Sequence, residues 1–300
     1  MFKKVLIAGC GLIGSSILRA MHSKKLSKKI FVLEKSKKNV SKIKKIKSNC
    51  KFIKGINSEV SDVDLVILCT PMSQYKKIIE KLNKILEASC LITDVGSTKQ
   101  NIIKLKNKNL NKKKLNWISS HPIAGSEVSG PEHGNKNLFL NKWCVIIKEK
   151  KQNSKKIKLL SRFWKKIGSR VVLMNAVNHD KIFSITSHLP HLIAYNLIKT
   201  AQDSQKIQRK NLIQYSAGGL RDFSRIAASN EIMWRDIFFS NKKNISKAID
   251  LFIKNLNEFK KDITSNNNKT ILKKLVLTKK VRSKIIKMKQ DIDKPDFGRN

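Results

Sequence analysis

The stretch KKVLIAGCGLIGSSILRAM, residues 3–21, decides the fold. Lys3 to Ala8 is short, continuous and apolar, as expected of a strand buried on both faces. Gly9-Cys10-Gly11-Leu12-Ile13-Gly14 follows at once, and the residues through Met21 take up helical spacing. A G-x-G-x-x-G run is a weak signal by itself. One that leaves a strand, opens a helix and begins a βαβ unit predicts a dinucleotide site. Gly9 allows the tight turn, Gly11 lets the backbone approach a pyrophosphate, and Gly14 lets the helix pack close to the strand. The first helical residues, Leu12 and Ile13, then offer free N–H groups at a positive dipole end. Lys3 and Lys4 ahead of an apolar stretch loosely imitate a signal peptide, but the segment before Cys10 is too short for a signal core.

Working outward, Ile30 to Leu33 reads as a second strand closed by Glu34, twenty residues after Gly14. An acid there accepts hydrogen bonds from the adenosine ribose and repels a 2′-phosphate, which favours NAD. Lys35, Lys37 and Lys38 follow directly and leave NADP open. Further strands are expected at Lys51 to Ile53, at Asp64 to Cys69 and at Cys90 to Thr93. The second of these ends at Thr70-Pro71, placed to border the cofactor, and the third at Asp94-Val95-Gly96-Ser97. Trp117 and Ile118 end a sixth strand, which puts His121 directly after it. Met72 to Leu86 has helical spacing, so strands alternate with helices as a parallel sheet covered on both faces requires. Trp143 to Lys148 and Arg170 to Leu173 add two strands around a helix from Ser154 to Ile167.

Past Met174 strand-like runs nearly vanish. Helical spacing covers Ala176 to Ile198, Lys206 to Tyr215, Asn230 to Phe239, Asn244 to Ile263 and Thr270 to Lys289, and Asp291 to Asn300 reads as a loose tail. The expected architecture is an α/β Rossmann-like domain with a parallel-rich sheet over residues 1–174, followed by an all-α domain over 175–300.

The formal charge of +43 would by itself suggest nucleic acid. Only nine of the 64 basic residues are arginine, however, and the lysines are spread along the chain without interleaved aromatics. Solvated faces are the better reading, with no nucleic-acid partner, and a basic surface would steer an anionic small molecule inward. Three arginines, Arg221, Arg225 and Arg235, fall within fifteen residues, and a planar fork grips a carboxylate better than an ammonium can. The five cysteines are scattered without CxxC spacing, which predicts free thiols in a reducing cytoplasm and no metal site. No apolar run is long enough to span a membrane.

Four polar clusters remain: DVGSTK at 94–99, HPIAGSEVSG at 121–130, SHLPHLIAYNL at 187–197, and GGLRDFSRIAASNEIMWRDI at 218–237. A strand-end histidine can act as a base near neutral pH. In order and spacing these clusters, with the glycine fingerprint, resemble the prephenate and arogenate dehydrogenase family over about residues 3 to 265. The resemblance implies a Rossmann-like domain and a helical domain that forms a homodimer. It implies NAD-dependent oxidative decarboxylation of prephenate to 4-hydroxyphenylpyruvate, or of arogenate to tyrosine. By motif, His121 would take the proton of the ring hydroxyl and Ser97 would bond the same hydroxyl and position the nicotinamide. Arg225 would hold a substrate carboxylate. His191, Ser126, Glu127 and Arg221 would line the substrate pocket, and Trp234 would pack the helical core or a dimer contact. Neither a chorismate mutase domain nor an ACT-type domain is expected beside these motifs, so tyrosine inhibition would be competitive. A dehydrogenase of the hydroxyisobutyrate type shares the two-domain plan, but the lysine motif of that type is missing where SHLPH stands.

Overall fold

A computed structural model of the chain describes residues 1–46, 49–109, 116–150, 152–208, 211–288 and 290. The N-terminal half is built on six parallel strands: β1 (Phe2–Ala8), β2 (Ser27–Leu33), β3 (Lys51–Ile53), β4 (Leu65–Leu68), β5 (Leu91–Asp94) and β6 (Asn116–Trp117). Their order is β3-β2-β1-β4-β5-β6. The chain winds outward from β1 to β3, returns to lay β4 against β1, and winds the other way to β6, so a crevice opens beyond the carboxyl ends of β1 and β4.

Alternation along β1 divides the core in two. Val5 and Ile7 point to one face, where Ile17, Leu18, Met21, Phe163 and Trp164 meet them. Leu6 and Ala8 point to the other, against Val66, Tyr75, Ile79, Leu82 and Trp117. The first face is covered by helices α1 (Leu12–Ser23) and α5 (Ser154–Lys166), the second by α3 (Tyr75–Ile85) and α4 (Gln100–Asn109); α2 (Lys37–Lys44) lies between β2 and β3. All four residues of β4 and all four of β5 are buried, so Leu→Ala in either would cost roughly 2–5 kcal/mol.

A second, three-stranded sheet has the order β7-β8-β9, from Ser120–Pro122, Trp143–Ile147 and Arg170–Met174, with β7 antiparallel and β9 parallel to β8. This corrects the expectation for His121. The residue sits inside β7, opposite Val145, and not in a loop after the sixth strand, which ends at Trp117. Pleating therefore sends its neighbour Ser120 one way, to Thr93 Oγ1 and Trp164 Nε1, and His121 the other.

Beyond Met174 the described residues are helical: α6 (Ala176–Phe183), α7 (Leu189–Gln208), α8 (Gly218–Ala227), α9 (Glu231–Ser240), α10 (Lys242–Thr264) and α11 (Asn268–Lys287). A π-helical turn, Ser184–His188, joins α6 to α7. Pro190 follows it, has no amide hydrogen for a carbonyl one turn back and crowds that carbonyl, so widening the helix here relieves both defects. Two expectations change. Lys206 to Tyr215 is not one helix: α7 runs to Gln208, and Ile213–Tyr215 forms a separate 3-10 turn. The segment from Gly218 to Ala227, which carries Arg221 and Arg225 and was read as polar sequence without assigned structure, is helix α8. The tail from residue 291 lies outside the described residues.

Candidate active site

The glycine loop connects β1 to α1. Gly9 has φ +86°, and a Cβ there would sit 2.7 Å from the Thr70 amide nitrogen, so no other residue fits between the ends of β1 and β4. A Cβ on Gly14 would lie 2.2 Å from the Gly9 carbonyl oxygen. Nothing stands within 4 Å of one on Gly11, which faces open space. No side chain caps α1, so the N–H groups of its first turn at Leu12 and Ile13 are offered to the crevice. Thr70 Oγ1 is buried there without a partner, and Pro71 beside it is exposed. These residues fit a dinucleotide: a cradle with no room for side chains, a positive helix end, and an unpaired hydroxyl. Glu34 does more than expected. Its carboxylate accepts from the Cys10 amide at 3.0 Å and the Ser36 amide at 2.9 Å, so it also holds the glycine loop to the end of β2.

Further along the same edge, β5 ends in a buried ion pair. Asp94 accepts from Lys99 Nζ at 2.6 Å, Trp117 Nε1 at 3.0 Å and the Gly96 amide at 3.1 Å. Lys99 Nζ also donates to the Ser120 carbonyl at 2.6 Å. Both side chains are wholly buried, so the pair ties the β5–α4 turn, which carries Ser97, to strand β7, which carries His121.

His121 is 9% exposed and its ring rests edge-on against Phe183. Its Nδ1 lies 2.8 Å from Nε2 of His179, whose own Nδ1 lies 2.8 Å from Asp180 Oδ1. Asp180 in turn accepts the Lys99 and Gln100 amides at 2.7 and 2.9 Å, capping α4 from another helix. Burial, then repulsion from His179, Lys99 and His188, holds the His121 imidazolium well below its ordinary range, so the ring is neutral at pH 7. Burial raises Asp180, but hydrogen bonds from His179 and the two amides outweigh it and keep the carboxyl ionised.

The π turn supplies His188, fully buried, with Nδ1 3.2 Å from Asn241 Nδ2 and its ring against the Ser97 backbone. Burial lowers its pKa to about 4. One turn on, His191 Nδ1 donates to the Ser187 carbonyl at 3.0 Å and the ring stacks on Trp234. Trp234 is 5% exposed, in the helical core as expected, with its indole nitrogen unpaired. On α8, Arg225 Nη1 faces Glu127 Oε1 at 3.3 Å and Nη2 faces Asp222 Oδ1 at 4.0 Å, while its buried Nε has no partner. Ser126 is exposed in the β7–β8 loop. Arg221 points away, exposed, donating to the Ser216 carbonyl at 3.3 Å. The structure thus brings Ser97 and His191 to the buried histidines and Glu127 to Arg225, and leaves Arg221 outside. Sequence reading passed over His179, Asp180 and Asn241, whose relevance lies in contacts with residues more than fifty positions away.

Two family models match the chain: "Prephenate dehydrogenase, nucleotide-binding domain" over residues 17–173 and "Prephenate dehydrogenase, dimerization domain" over 175–277. A cyclohexadienyl dehydrogenase from Zymomonas mobilis is 32% identical over 281 residues, 94% of this chain and 95% of that one. A prephenate dehydrogenase from Bacillus subtilis is 31% identical, covering 85% of this chain and 69% of that one. Among solved structures, prephenate dehydrogenase from Aquifex aeolicus, in complex with hydroxyphenyl propionate and NAD+, superposes with a TM-score of 0.86 at 34% identity, over 95% of this chain and 99% of that one. Among the described residues no helix is long and apolar enough to cross a membrane. A Rossmann half with a nucleotide cradle, a buried neutral histidine beside it and a helical half of the dimerization type accord with these matches, and the chain belongs to the prephenate dehydrogenase family of oxidoreductases.

Proposed function

We propose that this chain oxidises prephenate with NAD to 4-hydroxyphenylpyruvate and carbon dioxide, on the way to tyrosine. The observation that carries this reading is His121: a neutral imidazole, buried at the crevice edge, with Arg225 on the facing helical half. When bound, the nicotinamide supplies a hydride acceptor. His121 draws the proton from the ring hydroxyl as hydride leaves the same carbon. The carbon–carboxylate bond on the opposite ring carbon then releases its electron pair into the ring, which becomes aromatic. The resulting phenolate takes the proton back from His121, which ends neutral as it began.

The remaining roles follow from place. Ser97, in the turn locked by Lys99 and Asp94, bonds the same hydroxyl. Arg225 holds the side-chain carboxylate by its fork, and Glu127, which now occupies part of that fork, shares or yields it. His191, steadied by Trp234, borders the substrate with Ser126 at the loop above. Gly9, Gly11, Gly14, Leu12 and Ile13 cradle the pyrophosphate, Glu34 meets the ribose, and Thr70 and Pro71 border the ring. Arg221, exposed and turned to the Ser216 carbonyl, would act on the substrate through its charge alone. The functional halves divide at residue 174, between β9 and α6. Leu251, Leu256, Leu275 and Val276 are more than half exposed on α10 and α11, an apolar surface that suits a homodimer. Five free cysteines suit a reducing cytoplasm.

Reduced-nicotinamide absorbance, followed with purified protein, NAD, and prephenate or arogenate in parallel, tests the reading. Turnover of prephenate supports it. Turnover of both would make the chain a dual-specificity cyclohexadienyl dehydrogenase, a reading favoured by its similarity to the Zymomonas protein along nearly the whole chain. Turnover of arogenate alone, or of neither, would overturn it.

A further inference from the structure

His121 heads a chain of three buried groups that ends on backbone. His121 Nδ1 meets His179 Nε2 at 2.8 Å, and His179 Nδ1 meets Asp180 Oδ1 at 2.8 Å. Asp180 is anchored by the amides of Lys99 and Gln100. His179 and Asp180 are both 0% exposed. The order of hydrogens along the chain can be worked out from its fixed end. Backbone amides only donate, so Asp180 accepts at both oxygens and, being ionised, has no hydrogen of its own to give. His179 Nδ1 must therefore carry a hydrogen and donate it. A neutral imidazole has one N–H, so His179 Nε2 is bare and must accept. The hydrogen between the rings then belongs to His121 Nδ1, and the bare nitrogen of His121 is Nε2.

We propose that His179, held by Asp180, is a positioning residue that fixes His121 in the Nδ1–H tautomer and leaves Nε2 as the nitrogen that takes the substrate's proton. The inference rests on His121 being the base, as argued above. As that proton arrives, the Nδ1–H of His121 remains donated to His179, and the charge that develops on the ring is stabilised through two short bonds to the Asp180 carboxylate. No proton needs to travel along the chain. The other groups facing the two rings are the Lys99 ammonium with its partner Asp94 from β5 and the β5–α4 turn, His188 from the π turn, and the uncharged ring of Phe183. None of them stands where it accepts from His121 Nδ1. Free imidazole side chains favour the opposite tautomer, so without His179 the base nitrogen would carry a hydrogen for much of the time.

The test joins a spectroscopic readout to kinetics. In protein labelled with ¹⁵N-histidine, two-bond proton–nitrogen spectra at neutral pH report the tautomer of each ring without substrate or cofactor, and His121→Asn assigns the His121 signals by their loss. The expected result is an Nδ1–H pattern for His121 in the parent protein and in His179→Gln, whose amide oxygen can still accept, and a shift toward the Nε2–H pattern in His179→Phe. Kinetically, His179→Phe should lower kcat for prephenate by roughly 10- to 100-fold with KM within about threefold, less than the loss from His121→Asn, and His179→Gln should recover most of it. A residue that only fills space predicts the reverse ranking, Phe above Gln. An Nε2–H pattern for His121 in the parent protein, or no change in His179→Phe, would overturn the proposal. Unaltered kinetics in His179→Phe together with a collapse in His121→Asn would sink the positioning role while leaving the base in place. Near-normal turnover of His121→Asn would overturn the assignment of the base, and the positioning role with it.

Discussion

The imidazole of His191 lies flat on the indole of Trp234, with ring centroids 3.8 Å apart and planes 22° apart. Since Nδ1 of His191 is committed to the Ser187 carbonyl, the stack fixes the direction of its other nitrogen. An aromatic pair contributes roughly 0.5–1.5 kcal/mol beyond its buried area, which corresponds to about a two- to tenfold effect. Trp234→Leu should therefore raise KM for prephenate within about that range and alter kcat less. An unchanged KM in steady-state assays would separate the stack from substrate binding.

Arg225 and Glu127 meet at 3.3 Å with side chains 38% and 28% exposed. Such a pair is worth at most about 1 kcal/mol. A substrate carboxylate on the same fork, as a charge-assisted bond, gains roughly 1.5–3 kcal/mol. Arg225→Ala should raise KM for prephenate by roughly 10- to 100-fold, whereas Glu127→Gln should lower it a few-fold by removing a competing anion. A higher KM in Glu127→Gln would mean that Glu127 holds the arginine in place and does not compete for it.

Glu34 binds two backbone amides and stands beside Lys35, Lys37 and Lys38. Glu34→Ala removes the charge that repels a 2′-phosphate and slackens the glycine loop at Cys10. The expected outcome is a weaker Kd for NAD and a fall of at least about tenfold in the preference for NAD over NADP. Fluorescence titration with both nucleotides measures it, and an unchanged ratio would assign the discrimination elsewhere.

Three buried histidines, His121, His179 and His188, and the half-buried His191 are held neutral chiefly by burial. Their pKa values are lower in the folded chain than in the unfolded one, so between the two values the unfolded chain binds more protons. Stability from this source is complete above about pH 6.5 and is lost as pH falls toward the folded values. For His188, at about 4 in the fold, the loss by pH 5 is on the order of 2 kcal/mol. Urea unfolding should show this decline between neutral pH and pH 5, and His188→Asn should flatten it. A parent protein equally stable at both pH values would contradict the burial of these rings in neutral form.

The nucleotide half was legible because its signals are local. A buried strand, a glycine turn and a helix occupy consecutive residues from Lys3 to Met21, and the unbroken apolar run of residues 5–8 marks a strand covered on both faces. The chemical half was legible only as motifs. β7 is three residues long, ends in proline and belongs to a sheet completed by residues 143–147 and 170–174, so nothing near His121 marks it as a strand. Gly218 and Gly219 lower helix propensity where α8 begins, which hid the helix that carries Arg225. His179 reads as an ordinary helical residue until β7 is laid against α6.

Asp180 reaches from the first helix of the C-terminal half to cap α4 of the N-terminal half, and Asn241 grips its carbonyl from the other side at 2.7 Å. The two halves are thereby riveted at one dry corner, while across the cleft they meet through the half-exposed contact of Arg225 with Glu127. The alignment of His121 is therefore set where the two halves join, by a corner that neither half could build alone.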